Sequence, residues 1–146
     1  LKKFNIKLRR YKMITRSEKL FLVLKELELI SQINTINHTK TQKTIYILSR
    51  MGLDMGYLFK WYINSVYCSE LSDDIFDIKE VGHMESYQLK TNPLAIIALF
   101  KMLFKDFRQD ILMLRIISSI LFMKENGNDK SYIDHLIKYN HDKTTE

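Results

Sequence analysis

A mainly α-helical domain is predicted by three features of this chain: few turn-forming residues, apolar side chains recurring at three- and four-residue steps, and capping signals where those runs begin. The 146 residues include four glycines and one proline, whereas an all-β protein of this size needs many more at its turns. With 46% hydrophobic and 27% charged residues, the composition is ordinarily globular. It supplies enough apolar surface for one core without metals or disulfides.

Thr15-Arg16-Ser17-Glu18 fits a capping box, so a first helix starts there. Leu20, Phe21, Val23, Leu24, Leu27 and Ile30 then share its apolar face. Residues 31–41 are rich in side chains that compete for backbone hydrogen bonds, and read as a loop ending in a cap near Thr39 or Thr41. The second helix buries Ile45, Tyr46, Leu48 and Met51 and closes at Gly52, which tolerates the left-handed conformation of a C-terminal stop. Residues 57–66 are aromatic and β-favouring, predicting a short strand or extended segment.

Ser69 offers an N-cap for a third helix reaching about residue 80, with Leu71, Ile75 and Ile78 inward and Glu70, Asp73 and Asp74 in its first turns. A short wing-like strand is expected around Tyr87 to Leu89. A fourth helix follows from Asn92-Pro93 to about Phe107. A fifth, from about Asp110 to Glu125, has the densest apolar pattern, including Ile111, Leu112, Leu114, Ile116, Ile117, Ile120, Leu121 and Phe122. It is expected to be the central core helix. A last helix from Asp129 to about Tyr139 buries Tyr132, Ile133, Leu136 and Ile137. The expected organisation is a basic arm (1–16), one domain (17–140) and a polar tail (141–146).

The formal charge of +6 is uneven. Lys2, Lys3, Lys7, Arg9, Arg10, Lys12 and Arg16 meet no acid in residues 1–16. The rest of the chain carries the remaining sixteen of 23 bases against all 17 acids, a net of −1. The seven N-terminal cations are therefore the candidates for nucleic-acid contact. Met13 is a second candidate for the translational start, in which case residues 1–12 are an upstream extension. Cys68 has no second cysteine to pair with, and no apolar run approaches the roughly 18 residues of a membrane span. A reducing, cytoplasmic setting is expected, with no membrane partner.

The stretch Lys43-Thr44-Ile45-Tyr46-Ile47-Leu48, Gly52-Leu53-Asp54-Met55-Gly56-Tyr57, Phe59, Trp61-Tyr62 and Tyr67-Cys68-Ser69-Glu70-Leu71-Ser72-Asp73-Asp74-Ile75 resembles a winged-helix-like group of bacterial and archaeal proteins related to phage-associated antitoxins of the Panacea and SocA type. Arg115 to Lys124, followed by Tyr132-Ile133, looks like the group's C-terminal helical pair. Where the group carries Gly-Pro before its Tyr-Ser turn, this chain has Ser65-Val66, while Tyr67, Ser69 and Leu71 fit. The resemblance implies a winged-helix-like N-terminal part packed on C-terminal helices, and an antitoxin-like or mobile-element context.

A winged helix invites a DNA-binding reading, with the third helix in the major groove. From Ser69 to Glu80, however, Glu70, Asp73, Asp74, Asp77 and Glu80 oppose only Lys79, and a net −4 repels phosphate. That acidic surface beside Tyr57, Trp61, Tyr62 and Tyr67 suits a protein partner, for which aromatic side chains are effective anchors. The expected contact residues are thus Tyr57, Trp61, Tyr62, Tyr67, Ser69, Glu70, Asp73, Asp74 and Asp77. A DNA-binding regulator using the basic arm is the alternative, and self-association into a homodimer is left open. No catalytic role, cofactor or metal is expected. Cys68 sits in no nucleophile motif with His38, His83, His135 or His141, the acids lack metal-ligand spacing, and there is no glycine-rich phosphate loop.

Overall fold

The computed structural model describes residues 14–30, 36–78, 88–126 and residue 138. Within them the fold is mainly helical with a short two-stranded antiparallel sheet. Helix α1 spans Arg16–Glu26, and the Thr15 hydroxyl accepts from the Glu18 amide, as the capping box predicts. The helix ends earlier than its apolar spacing suggests. Glu28 takes a left-handed φ of 59°, and the Leu29 amide donates back to the Leu24 carbonyl, a closure that satisfies the last carbonyls. Ile30 therefore lies beyond the helix, and Leu22 joins Leu20, Val23 and Leu24 in the core.

Helix α2 spans His38–Arg50, capped by the Asn37 side chain and not by Thr39 or Thr41. Gly52 at φ 111° stops it, and the Leu53 amide donates to the Leu48 carbonyl at 2.9 Å. Every residue from Thr41 to Leu48 is buried, because this helix packs against four other elements.

The aromatic segment forms a hairpin instead of one strand: β1 (Lys60–Tyr62) and β2 (Ser65–Tyr67), paired Lys60 to Tyr67, Trp61 to Val66 and Tyr62 to Ser65. The loop is two residues, Ile63 and Asn64, both at positive φ (44° and 63°). That backbone matches the twist of the strands it joins. Helix α3 spans Ser69–Ile78, α4 spans Thr91–Leu103 and α5 spans Ile111–Glu125, the last capped by the Asp110 carboxylate on the Met113 amide. α1 packs on α3, while α2 touches α3, α4, α5 and β2, and α5 also lies against β2.

Three expectations are corrected. The central core helix is α2, since α5 buries only Leu114, Ser118, Ser119 and Met123 completely, its other apolar side chains being spread around the helix with one face turned to α2 and β2. The wing lies before α3, at residues 60–67, and residues 88–90 are not strand although Leu89 packs on the core. α4 also stops short of Phe107, at Phe104, which stacks on Phe100 at 4.7 Å. Tyr87, residues 79–86, the expected helix from Asp129 to Tyr139 apart from Lys138, and the tail lie outside the described residues.

Ile63 is a β-branched residue held at positive φ with its side chain 74% exposed, so it strains the backbone while burying little. Ile63→Asn should raise stability by about 1 kcal/mol in urea unfolding. A loss of stability would show that the Ile63 side chain contributes more than its exposure indicates.

Candidate functional site

The hairpin is held from one side by two side chains of α2. With a two-residue loop, Tyr62 and Ser65 form the hydrogen-bonded pair beside the turn, so Trp61 and Val66 direct their backbone groups away from each other's strand. On the β2 side the Val66 carbonyl is met. The Lys43 amine donates to the Val66 carbonyl at 2.6 Å and to the Ser65 hydroxyl at 3.1 Å. Just past the strand, the Gln42 amide embraces the Cys68 backbone, accepting from its N–H at 2.9 Å and donating to its C=O at 2.8 Å. Gln42 and Lys43 thus stand where a third strand would. Gln42 also donates to the Ser72 hydroxyl at 3.2 Å, and Tyr67 lies 3.1 Å from that hydroxyl.

This fixes the turn from Tyr67 into α3. The Ser72 amide donates to the Cys68 carbonyl, so Cys68 occupies the capping position and Ser69 is the first helical residue, exposed at the surface. Cys68 is 2% exposed.

A second cluster joins α1, α3 and the segment before β1. Arg16 Nε donates to Asp74 Oδ2 at 2.7 Å and Nη1 to Glu70 Oε2 at 3.1 Å; the Tyr57 hydroxyl donates to the same Asp74 oxygen at 2.7 Å. The guanidinium lies 4.5 Å over the Tyr57 ring. Asp74 is 8% and Tyr57 7% exposed, which removes both from the expected contact surface. They are internal because residues 71, 74, 75 and 78 form one helical face, and Asp74 is carried inward with its apolar neighbours. Arg16 is likewise committed to acids of its own chain, and the other expected nucleic-acid contacts (Lys2, Lys3, Lys7, Arg9, Arg10 and Lys12) lie outside the described residues.

Of the remaining contact candidates, Trp61, Tyr62, Tyr67, Ser69 and Glu70 come together at one cleft beside the hairpin. Leu58, Lys60, Trp61, Tyr62, Tyr67, Cys68, Ser69 and Glu70 line an open cleft of about 310 Å³. Tyr62 packs on Tyr67 with ring centroids 5.7 Å apart, while Trp61 turns to Phe122 of α5 at 5.8 Å and is partly buried. Leu58, Tyr62 and Ile63 are 75%, 59% and 74% exposed. Glu70 lines the cleft with Leu58 and Tyr62, and Asp73 and Asp77 are exposed further along α3. Leu58 and Ile63 escape sequence reasoning because an isolated aliphatic residue in an apolar run reads as core. Gln42 and Lys43 escape it because polar residues near a helix start read as solvated.

Among the described residues, no group of three or more histidine, cysteine, aspartate or glutamate side chains is placed to hold a metal. His38 packs on Phe76 at 5.2 Å, and His83, His135 and His141 lie outside the described residues. No helix among them is long and apolar enough to cross a membrane.

Two outcomes follow for stability. Gln42→Leu should cost about 2–4 kcal/mol in denaturant unfolding, because the buried Cys68 amide loses its acceptor; a change under about 0.5 kcal/mol would show that the edge does not need this partner. Burial, reinforced by Arg115, pushes the Lys43 amine down to about 8 from 10.5. Between those values the unfolded chain binds the extra proton, so this contribution to stability rises with pH. Tyr57 opposes it higher up: burial, then its bond to Asp74, hold its hydroxyl protonated above the ordinary 10.0, so the unfolded chain releases that proton first and stability falls. The unfolding midpoint should climb from about pH 8 to about pH 10 and then decline, and Lys43→Gln should flatten the climb. A wild-type profile without that rise would contradict the assignment. Comparison with protein-family models, with curated proteins and with solved structures gives no match to this chain.

Proposed function

We propose that this chain is a non-enzymatic regulatory or interaction protein that binds a protein partner through the outer side of its hairpin and the adjoining face of α3. The supporting observation is the exposed pair Leu58 and Tyr62 lining an open cleft, with Ile63 exposed at the adjoining turn, on a hairpin whose other edge is anchored by Gln42 and Lys43. Apolar and aromatic groups exposed on a braced element lose little freedom when a partner covers them. Glu70 lines the cleft, and Asp73 and Asp77 are exposed further along the same helix, which favours a partner with basic residues at the rim. The antitoxin-like context and the cytoplasmic setting belong to the same proposal and rest on the sequence resemblance and the lone cysteine.

The DNA-binding alternative draws no support from the described residues. Exposed carboxylates on α3 disfavour a polyanion there, and Arg16 is engaged by Asp74 and Glu70, so that reading rests on residues 2–12.

Two double variants test the proposal: Tyr62→Asp with Ile63→Asp, and Asp73→Lys with Asp77→Lys. All four positions are exposed, so both proteins should remain folded and unfold cooperatively. Native co-purification with quantitative mass spectrometry should show the same principal partner falling at least about tenfold with the first variant, a loss of about 1.4 kcal/mol in binding. Undiminished capture by both variants would refute the surface. Salt-sensitive retention of duplex DNA that vanishes when residues 1–12 are removed would favour the arm instead.

A further inference from the structure

The α2–α5 junction contains buried cationic and polar groups that the hairpin anchor does not use up. Lys43 is 3% exposed, and an ammonium has three hydrogens to donate. Two go to neutral acceptors, the Ser65 hydroxyl and the Val66 carbonyl of β2. Arg115 of α5, close enough to Lys43 to disfavour its charge, buries its Nε without a hydrogen-bond partner. One turn further along the same side of α5, Ser119 is 0% exposed and its hydroxyl is also unpartnered; so is that of Thr44, next to Lys43 and 1% exposed. The ion pairs of the described residues engage Arg16, Arg50 and Arg108, and neither Lys43 nor Arg115 has an acidic partner among them.

Two like charges set near each other in a poorly solvated place raise the energy of the fold, and so does each buried donor without an acceptor. Both penalties are relieved by one negatively charged group with two or more oxygens. A guanidinium binds such a group side-on, and the third hydrogen of an ammonium adds a charge-assisted bond. We infer that Lys43, Arg115 and Ser119 form a receptor for a single small oxyanion, a carboxylate or phosphate group, where α2, β2 and α5 meet. This inference stands apart from the partner surface of the hairpin, because it rests on different groups. Its consequence is that ligand binding would act on the amine that carries the Val66 carbonyl, and so on the hairpin.

The test follows the Lys43 side-chain resonance by NMR of the full chain through a pH titration in sodium chloride, sodium acetate and sodium phosphate at equal ionic strength, with scanning calorimetry on the same samples. Binding should raise the Lys43 midpoint by about one pH unit or more over chloride and raise the unfolding temperature in the same salt. A response to phosphate alone assigns a phosphate ligand, one to acetate alone a carboxylate, and one to both a general oxyanion site. Arg115→Gln should weaken the response at least tenfold. Ser119→Ala, which removes only an unpartnered hydroxyl, should weaken it while leaving the fold intact. Identical midpoints in all three salts, or a response that survives both substitutions undiminished, would overturn the inference.

Discussion

The hairpin depends on the pairing of Gln42 and Lys43 with the outer edge of β2. A two-stranded sheet of three-residue strands has too few hydrogen bonds and too little buried area to persist alone. Here one of its edges is completed by side chains: a primary amide that presents a donor and an acceptor as a backbone would, and an ammonium on the next carbonyl. Because these groups belong to the most enclosed helix, the hairpin inherits the rigidity of the core. The cost is a lysine held almost entirely out of water, whose amine is less basic as a result.

The Arg16, Asp74 and Tyr57 cluster performs a complementary task between α1, α3 and the segment before β1. It fixes the start of α1 against α3 and pins the chain that leads into β1. A carboxylate bonded to both a guanidinium and a phenol has its charge compensated, which makes its burial tolerable. α3 is consequently divided: Asp74 belongs to the interior, while Asp73 and Asp77 remain on the surface. Four carboxylates between Ser69 and Ile78 look alike in a net charge, and they play two roles.

The exposed residues at the hairpin make sense in this frame. Trp61 and Val66 face α5 and the core, which leaves Tyr62 on the other side of the pleat and Ile63 at the turn. A strand alternates its faces, so an aromatic run of this length divides its side chains between inside and outside. Partner binding is proposed to use the outside set, which the fold displays without spending it on the core. α5 is further bound to α2 by Glu125, which accepts from Tyr46 at 3.1 Å and pairs with Arg50.

The sequence by itself determined the helical class, the cap at Thr15, and the stop at Gly52. These are local: a capping side chain reaches an amide three residues away, and apolar periodicity of 3.6 needs no distant partner. It also marked residues 57–77 as the region of interest, although it did not resolve the hairpin, since the Ile63-Asn64 turn lacks the glycine that usually signals one. Tertiary structure alone decided that α2 and not α5 is the centre, that Tyr57 and Asp74 are internal, and that Gln42 and Lys43 hold the β2 edge. Each of those outcomes depends on groups far apart in the chain, such as Arg16 and Asp74 or Gln42 and Cys68. Burial of a polar group is favourable only where a distant partner arrives to satisfy it, and no local pattern records that arrival.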